Sequence, residues 1–168
     1  MKSKRQLKKQ WSIKDKDARI GFWNPWSYSN ERHEFCKSLR YDILGLGELH
    51  NTQVKKQFQG STWICSQEAK EKDGKCVDPA AGVAILLSNR MAKKTMSKGW
   101  VGTRIVWARI EGPVCNLFII VTYIPHKGRV NPSAQDTIKK LRELLSTVRR
   151  HDCIIMMGDF NCQLRRNV

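Results

Sequence analysis

The chain has 168 residues, enough for one domain with a real core, and sets 31 Lys and Arg against 15 Asp and Glu for a net charge of +16. That excess is beyond what solubility needs and selects a polyanionic partner, nucleic acid first. No apolar run reaches the roughly 18 residues of a membrane span; the longest, Val114 to Ile124, is broken by Asn116 and Thr122, so no membrane partner is expected.

The charge is uneven. Residues 1–19 hold Lys2, Lys4, Arg5, Lys8, Lys9, Lys14, Lys16 and Arg19 against Asp15 and Asp17, with few apolar residues and no periodicity. Such a segment reads as a basic, flexible head over residues 1–17, able to lie along phosphates, and it precedes one domain over residues 18–168. The six cysteines form no Cys-x-x-Cys pair and lie partly in apolar runs. Several read as core residues, and the set indicates a reduced intracellular protein, nuclear ahead of cytoplasmic, rather than a disulfide framework.

In chain order, Ala18 to Trp23 reads as a strand that ends at Asn24-Pro25, because proline pushes the residue before it out of helix. Asn30 is the expected N-cap of a helix through Arg40, with Phe35, Cys36 and Leu39 on its buried side. Tyr41 to Leu46 is a short apolar strand that leads to Glu48. Thr62 to Ser66 is another strand, and Gln67 to Pro79 a charged loop holding Asp73-Gly74 and Asp78-Pro79.

Ala81 to Ser88, Thr103 to Glu111 and Val114 to Ile124 follow as strands, the last two joined through Gly112-Pro113. Asn131-Pro132-Ser133 opens a helix whose Ile138, Leu141, Leu144, Leu145 and Val148 share one face. The run Cys153-Ile154-Ile155-Met156-Met157 is then a buried strand ending in Gly158-Asp159-Phe160-Asn161. Many strands with a few helices laid outside predict an α/β (α+β) protein of packed sheets.

Four strand ends therefore carry a polar side chain: Asn24, Glu48, Tyr123, and the pair Asp159 and Asn161. Strand ends are where layered folds collect site residues. In an extended backbone Asp159 and Asn161 point the same way, which sets a proton acceptor beside an amide donor. That pair suits activation of a water for attack on a phosphoester. His126 and His151 read as surface histidines.

The series Phe22-Trp23-Asn24, Gly47-Glu48, Gly82-Val83-Ala84-Ile85-Leu86, Tyr123-Ile124-Pro125 and Gly158-Asp159-Phe160-Asn161 resembles, in order, the endonuclease/exonuclease/phosphatase family. Within it the likeness is to the apurinic-type endonuclease of non-LTR retrotransposons and to craniofacial development protein 2-like proteins, over residues 18–168. The resemblance implies a four-layer α/β/β/α sandwich of two mixed sheets. It implies Glu48 as the ligand of Mg²⁺ or Mn²⁺ with Asn24 steadying that metal site, and Tyr123 as a donor to the scissile phosphate. It also implies Asp159 as the base for water and Asn161 as the stabiliser of transition-state charge.

Members of this family close with a further Asp and an Asp-His or Ser-Asp-His segment well after Gly-Asp-Phe-Asn, and nothing through Val168 corresponds to it. The expectation is a fold whose C-terminal part is missing, which weakens activity more than architecture. The functional expectation is a metal-dependent endonuclease-type phosphodiesterase of retrotransposon origin acting on nucleic acid, DNA ahead of RNA. The alternatives are a non-catalytic basic nucleic-acid binder on the same scaffold, and a phosphatase of the same fold.

Overall fold

The computed structural model describes residues 17–27, 29–50, 62–66, 82–126 and 133–161, with the backbone of 71–72 and 75–76. Residues 1–16 of the basic head lie outside this set, as do residues 162–168. Two four-stranded mixed sheets are built on one repeated unit: a strand, a helix, and a second strand parallel to the first.

In sheet 1 the unit is β1 (Ile20–Trp23), α1 (Asn30–Ser38) and β2 (Ile43–Leu46), with β1 and β2 in parallel register from Ile20↔Ile43 to Trp23↔Leu46. β3 (Trp63–Cys65) and β6 (Ala84–Leu87) complete the order β1-β2-β6-β3, and β6 is antiparallel to both its neighbours. Between them β4 (Glu71–Lys72) and β5 (Lys75–Cys76) pair as a small antiparallel ladder inside the segment expected to be loop.

Sheet 2 is β7 (Thr95–Val101), β8 (Ile105–Ile110), β9 (Leu117–Tyr123) and β10 (Cys153–Asp159), in the order β10-β9-β8-β7. Its parallel pair is β9 and β10, joined through α3 (Ala134–Ser146), while a short α2 (Asn89–Lys94) precedes β7. The sequence reading missed α2 and β7. Residues 91–100 alternate neither at the strand nor at the helix period, and Met96, Ser97, Lys98 and Trp100 are exposed.

Period-2 alternation explains the layering. Ile43, Ile85, Val106, Ala108, Ile119 and Val121 meet between the sheets, and each is fully buried. Their outward-facing neighbours Leu44, Leu46 and Ala84 receive Cys36 of α1, and Ile105, Phe118 and Ile120 receive Leu141 and Leu144 of α3. The result is the expected four layers, helix, sheet, sheet, helix. Gly45 sets the approach of the parallel pairs, since a Cβ there would come within 2.8 Å of Val121 Cγ2 and 3.3 Å of Met157 Cε.

α3 begins where expected, with Ser133 and Asp136 closing a reciprocal capping box. α1 differs in detail. Its N-cap is Ser29, whose Oγ accepts the Arg32 N–H, and the helix stops before Arg40, which has φ +53. His33 and Cys36 form its buried stripe, while Phe35 is half exposed and lies edge-on to Trp23.

β10 departs more. It pairs with β9 alone among the described residues, so it is an edge strand, with Cys153, Ile154 and Met156 exposed and Ile155 and Met157 turned to the inter-sheet core. The apolar run therefore does not mark a strand buried on both faces. A bidentate ion pair anchors its start: Arg109 Nε and Nη2 donate to Asp152 at 2.7 and 2.8 Å. No described helix is long and apolar enough to cross a membrane.

Candidate active site

The parallel pairs deliver their C-terminal ends to one end of the sandwich. On sheet 1, Asn24 Oδ1 accepts the Trp26 N–H at 3.0 Å, so this side chain turns the chain just past β1. The Gly47 N–H donates to the Trp23 carbonyl oxygen at 3.1 Å and the Ser27 N–H to the Glu48 carbonyl oxygen at 2.8 Å, which holds the loops after β1 and β2 side by side. The Glu48 side chain is only 14% exposed, and His50 Nε2 lies 3.7 Å from its Oε2.

On sheet 2, Tyr123 and Asp159 are partners across the β9–β10 ladder. Asp159 Oδ1 accepts the Asn161 N–H at 3.0 Å, and Asn161 Nδ2 donates to the Ile124 carbonyl oxygen at 2.9 Å. The extended geometry expected past Asp159 does not hold, because Asn161 has φ +43. The Asp159 side chain folds the chain back, and Asn161 stays at the strand ends through Ile124 instead. Tyr123 is buried in the inter-sheet core, with the Arg104 guanidinium 4.8 Å above its ring centre.

A short hydrogen-bond path joins the two ends. The Leu49 N–H donates to Gly82 O at 3.0 Å, the Gly82 N–H to Thr103 O at 3.1 Å, and the Tyr123 N–H to Arg104 O at 3.0 Å. The path runs from the neighbour of Glu48 to the ladder partner of Asp159. Asn24 joins it through the contact of the β1 and β2 loops.

These loops are strained. Six described non-glycine residues have positive φ, and five of them, Trp26, Ser27, Glu48, His50 and Asn161, lie here. Such conformations cost of order 1–3 kcal/mol each and persist where the surroundings over-determine them, as functional loops do. Trp26, His50 and Arg104 escaped the sequence reading. The alternation Glu48-Leu49-His50 carried a signal for His50, whereas Arg104 is one of 31 basic residues and carried none.

Glu48 and Asn24 offer oxygen donors, and Asn24 Oδ1 keeps a second lone pair beside its bond to Trp26. Among the described residues no three His, Cys, Asp or Glu side chains gather into a metal cluster. One carboxylate plus water fits Mg²⁺, which keeps much of its hydration, better than it fits a cation that needs a full protein cage.

No protein-family profile matches the chain, and no curated protein does. Solved structures do. D. rerio TDP2 in complex with a single-strand DNA product aligns with TM-score 0.56 at 11% identity, over 89% of this chain and 62% of that one. The endonuclease domain of TRAS1, a telomere-specific non-LTR retrotransposon, aligns with TM-score 0.54 at 12% identity, over 88% of this chain and 61% of that one. An endonuclease/exonuclease/phosphatase family protein from Leptotrichia buccalis C-1013-b aligns with TM-score 0.50 at 15% identity, over 86% of this chain and 67% of that one. The chain thus spans less than two thirds of the length of the first two. At such identities the architecture is what the matches establish: this chain has the endonuclease/exonuclease/phosphatase fold.

Proposed function

We infer that the chain is a metal-dependent phosphodiesterase domain of the endonuclease type, with DNA as its substrate. The reading rests on one observation, the hydrogen-bond path that ties the loop of Glu48 and Asn24 to the Tyr123–Asp159 ladder pair. The charge of +16 and the nucleic-acid relatives among proteins of this fold support it further.

The chain's own groups divide the work. Asp159 keeps one carboxylate oxygen free of the Asn161 N–H and can take the proton of an attacking water. Asn161 gives one Nδ2 hydrogen to Ile124 O and keeps the other for a phosphate oxygen, and the Tyr123 hydroxyl is a further donor for it. Glu48, with Asn24 beside it, would hold a Mg²⁺ or Mn²⁺ ion, which would supply neutralisation of phosphate charge.

Supercoiled plasmid in Mg²⁺ is the test. Nicking that EDTA abolishes and Asp159→Asn removes is the expected result, and nicking indifferent to both overturns the reading. Salt-sensitive binding without nicking selects the alternative of a basic nucleic-acid binder on the same scaffold, which the charge supports equally.

A further inference from the structure

The geometry points to Trp26 as the stacking platform for one unpaired nucleobase next to the scissile phosphate, an inference that rests on the phosphodiesterase reading of the site. Trp26 is 76% exposed, so its indole stands in water directly beside Asn24 and the Glu48 loop. An indole left in water gains nothing for the fold. Its backbone, by contrast, is held firmly. The N–H donates to Asn24 Oδ1, and Arg32 Nη1 donates to the carbonyl oxygens of Trp26 and Ser27 at 3.2 and 2.7 Å.

Trp26 and Ser27 have φ +47 and +101, conformations that this clamp imposes at a cost. Strain and clamp together fix the direction of the Cα–Cβ bond, so the ring is presented beside the site and only its side-chain torsions remain to be ordered on binding. A polyanion drawn in by the +16 charge brings bases with it. A base inside a duplex has both faces covered by its neighbours, so an indole gains a stacking partner only from a base that is unpaired or at a frayed end. Trp26 therefore selects locally single-stranded substrate, while Glu48 and Asp159 act on its backbone.

The test uses the whole chain in EDTA, with fluorescence anisotropy of three labelled probes: a short single strand, the same strand built of abasic sugar-phosphate units, and a blunt duplex. Wild-type chain should prefer the base-bearing strand to the abasic one by roughly 5- to 150-fold, the range for one base on one aromatic ring. Trp26→Ala should erase that preference, leave abasic binding and its salt dependence intact, and leave the thermal melt unchanged. Trp26→Phe should keep most of the preference. A preference that survives Trp26→Ala, or an equal loss on all three probes, overturns the assignment while the nucleic-acid reading stands. Failure of the wild-type chain to bind any probe at low salt overturns both.

Discussion

Tyr123 and Asp159 are register partners at the ends of β9 and β10, and the Ile124 N–H just beyond them donates to the Asp159 carbonyl oxygen at 2.8 Å. A parallel ladder thereby carries two proposed phosphate-facing groups as neighbours, and the Asn161 amide closes over the same Ile124. The phenol and carboxylate are set by strand register and the amide by its two hydrogen bonds, which is the precision that charge stabilisation in a transition state requires.

Gly158 is the residue that makes this register possible. A Cβ at this position would run into the Thr122 carbonyl oxygen, which is backbone and cannot swing away. Gly158→Ala should cost at or above the upper end of the about 1–3 kcal/mol typical of overpacking. Denaturant unfolding with far-UV circular dichroism measures it, and a midpoint equal to wild type would show that β10 can shift at no cost.

Asp159→Asn separates chemistry from shape. The amide oxygen can still accept the Asn161 N–H, so stability should stay within about 0.5 kcal/mol, as for an isosteric change that keeps its hydrogen bond in a partly buried site. Plasmid nicking should fall about 10²- to 10⁴-fold, the usual worth of a positioned general base. Single-turnover rates at saturating chain measure the second value without a contribution from binding.

The buried anchor of β10 predicts a stability effect away from the site. The Asp152 side chain is 1% exposed, takes the Arg109 fork and also accepts Asn116 Nδ2, and its carboxyl sits below the usual range chiefly because Arg109 donates to it. Asp152→Ala should strand the guanidinium and lower the melting temperature more than Arg109→Met with Asp152→Leu together, since the double change removes both charges. Equal melting temperatures for the single and double variants would show that the pair is open to solvent.

The two parallel units were legible because they depend on local signals. Asn24-Pro25 ends β1, the Ser133 cap starts α3, and the Leu141 and Leu144 spacing fixes its inner face. The positions of the candidate site residues were legible for the same reason, as each lies at or just past the end of a recognisable strand. What could not be read was long-range. The edge position of β10 depends on which strand pairs with β9, and an apolar run does not encode that. The clamp on Trp26 needs Arg32, six residues away on another element. The left-handed turn at Asn161 arises from an aspartate that caps its own loop, a contact that the assumption of extended backbone hides.

The basic head should act through phosphates. Residues 1–16 contain seven Lys and Arg, and each one that meets a phosphate of B-DNA steepens the slope of log affinity against log salt by about 0.9. Deletion of residues 1–16 should flatten that slope and weaken duplex and single-strand binding alike. An unchanged slope would show that the head does not touch the backbone.

At the far end of sheet 1, Asp42 predicts the acid limit of the fold. Its carboxylate takes Arg90 Nε and Nη2, both at 2.6 Å, together with the Arg19 N–H and Ser88 Oγ, and these donors, Arg90 foremost, lower its pKa from 3.8 to about 2. The folded form therefore holds its proton less tightly than the unfolded chain. Its stabilisation is complete above pH 3.8 and is lost as pH falls toward 2. Because the group is partly solvated, exchange with water discounts the gain relative to a buried pair. Asp42→Asn should lower the melting temperature at pH 6 and flatten the dependence on pH between about 4 and 2, so that the two curves converge at the acid end. Parallel curves across that range would show that the acid transition belongs to other carboxylates, with Asp152, held low by Arg109, the first to examine.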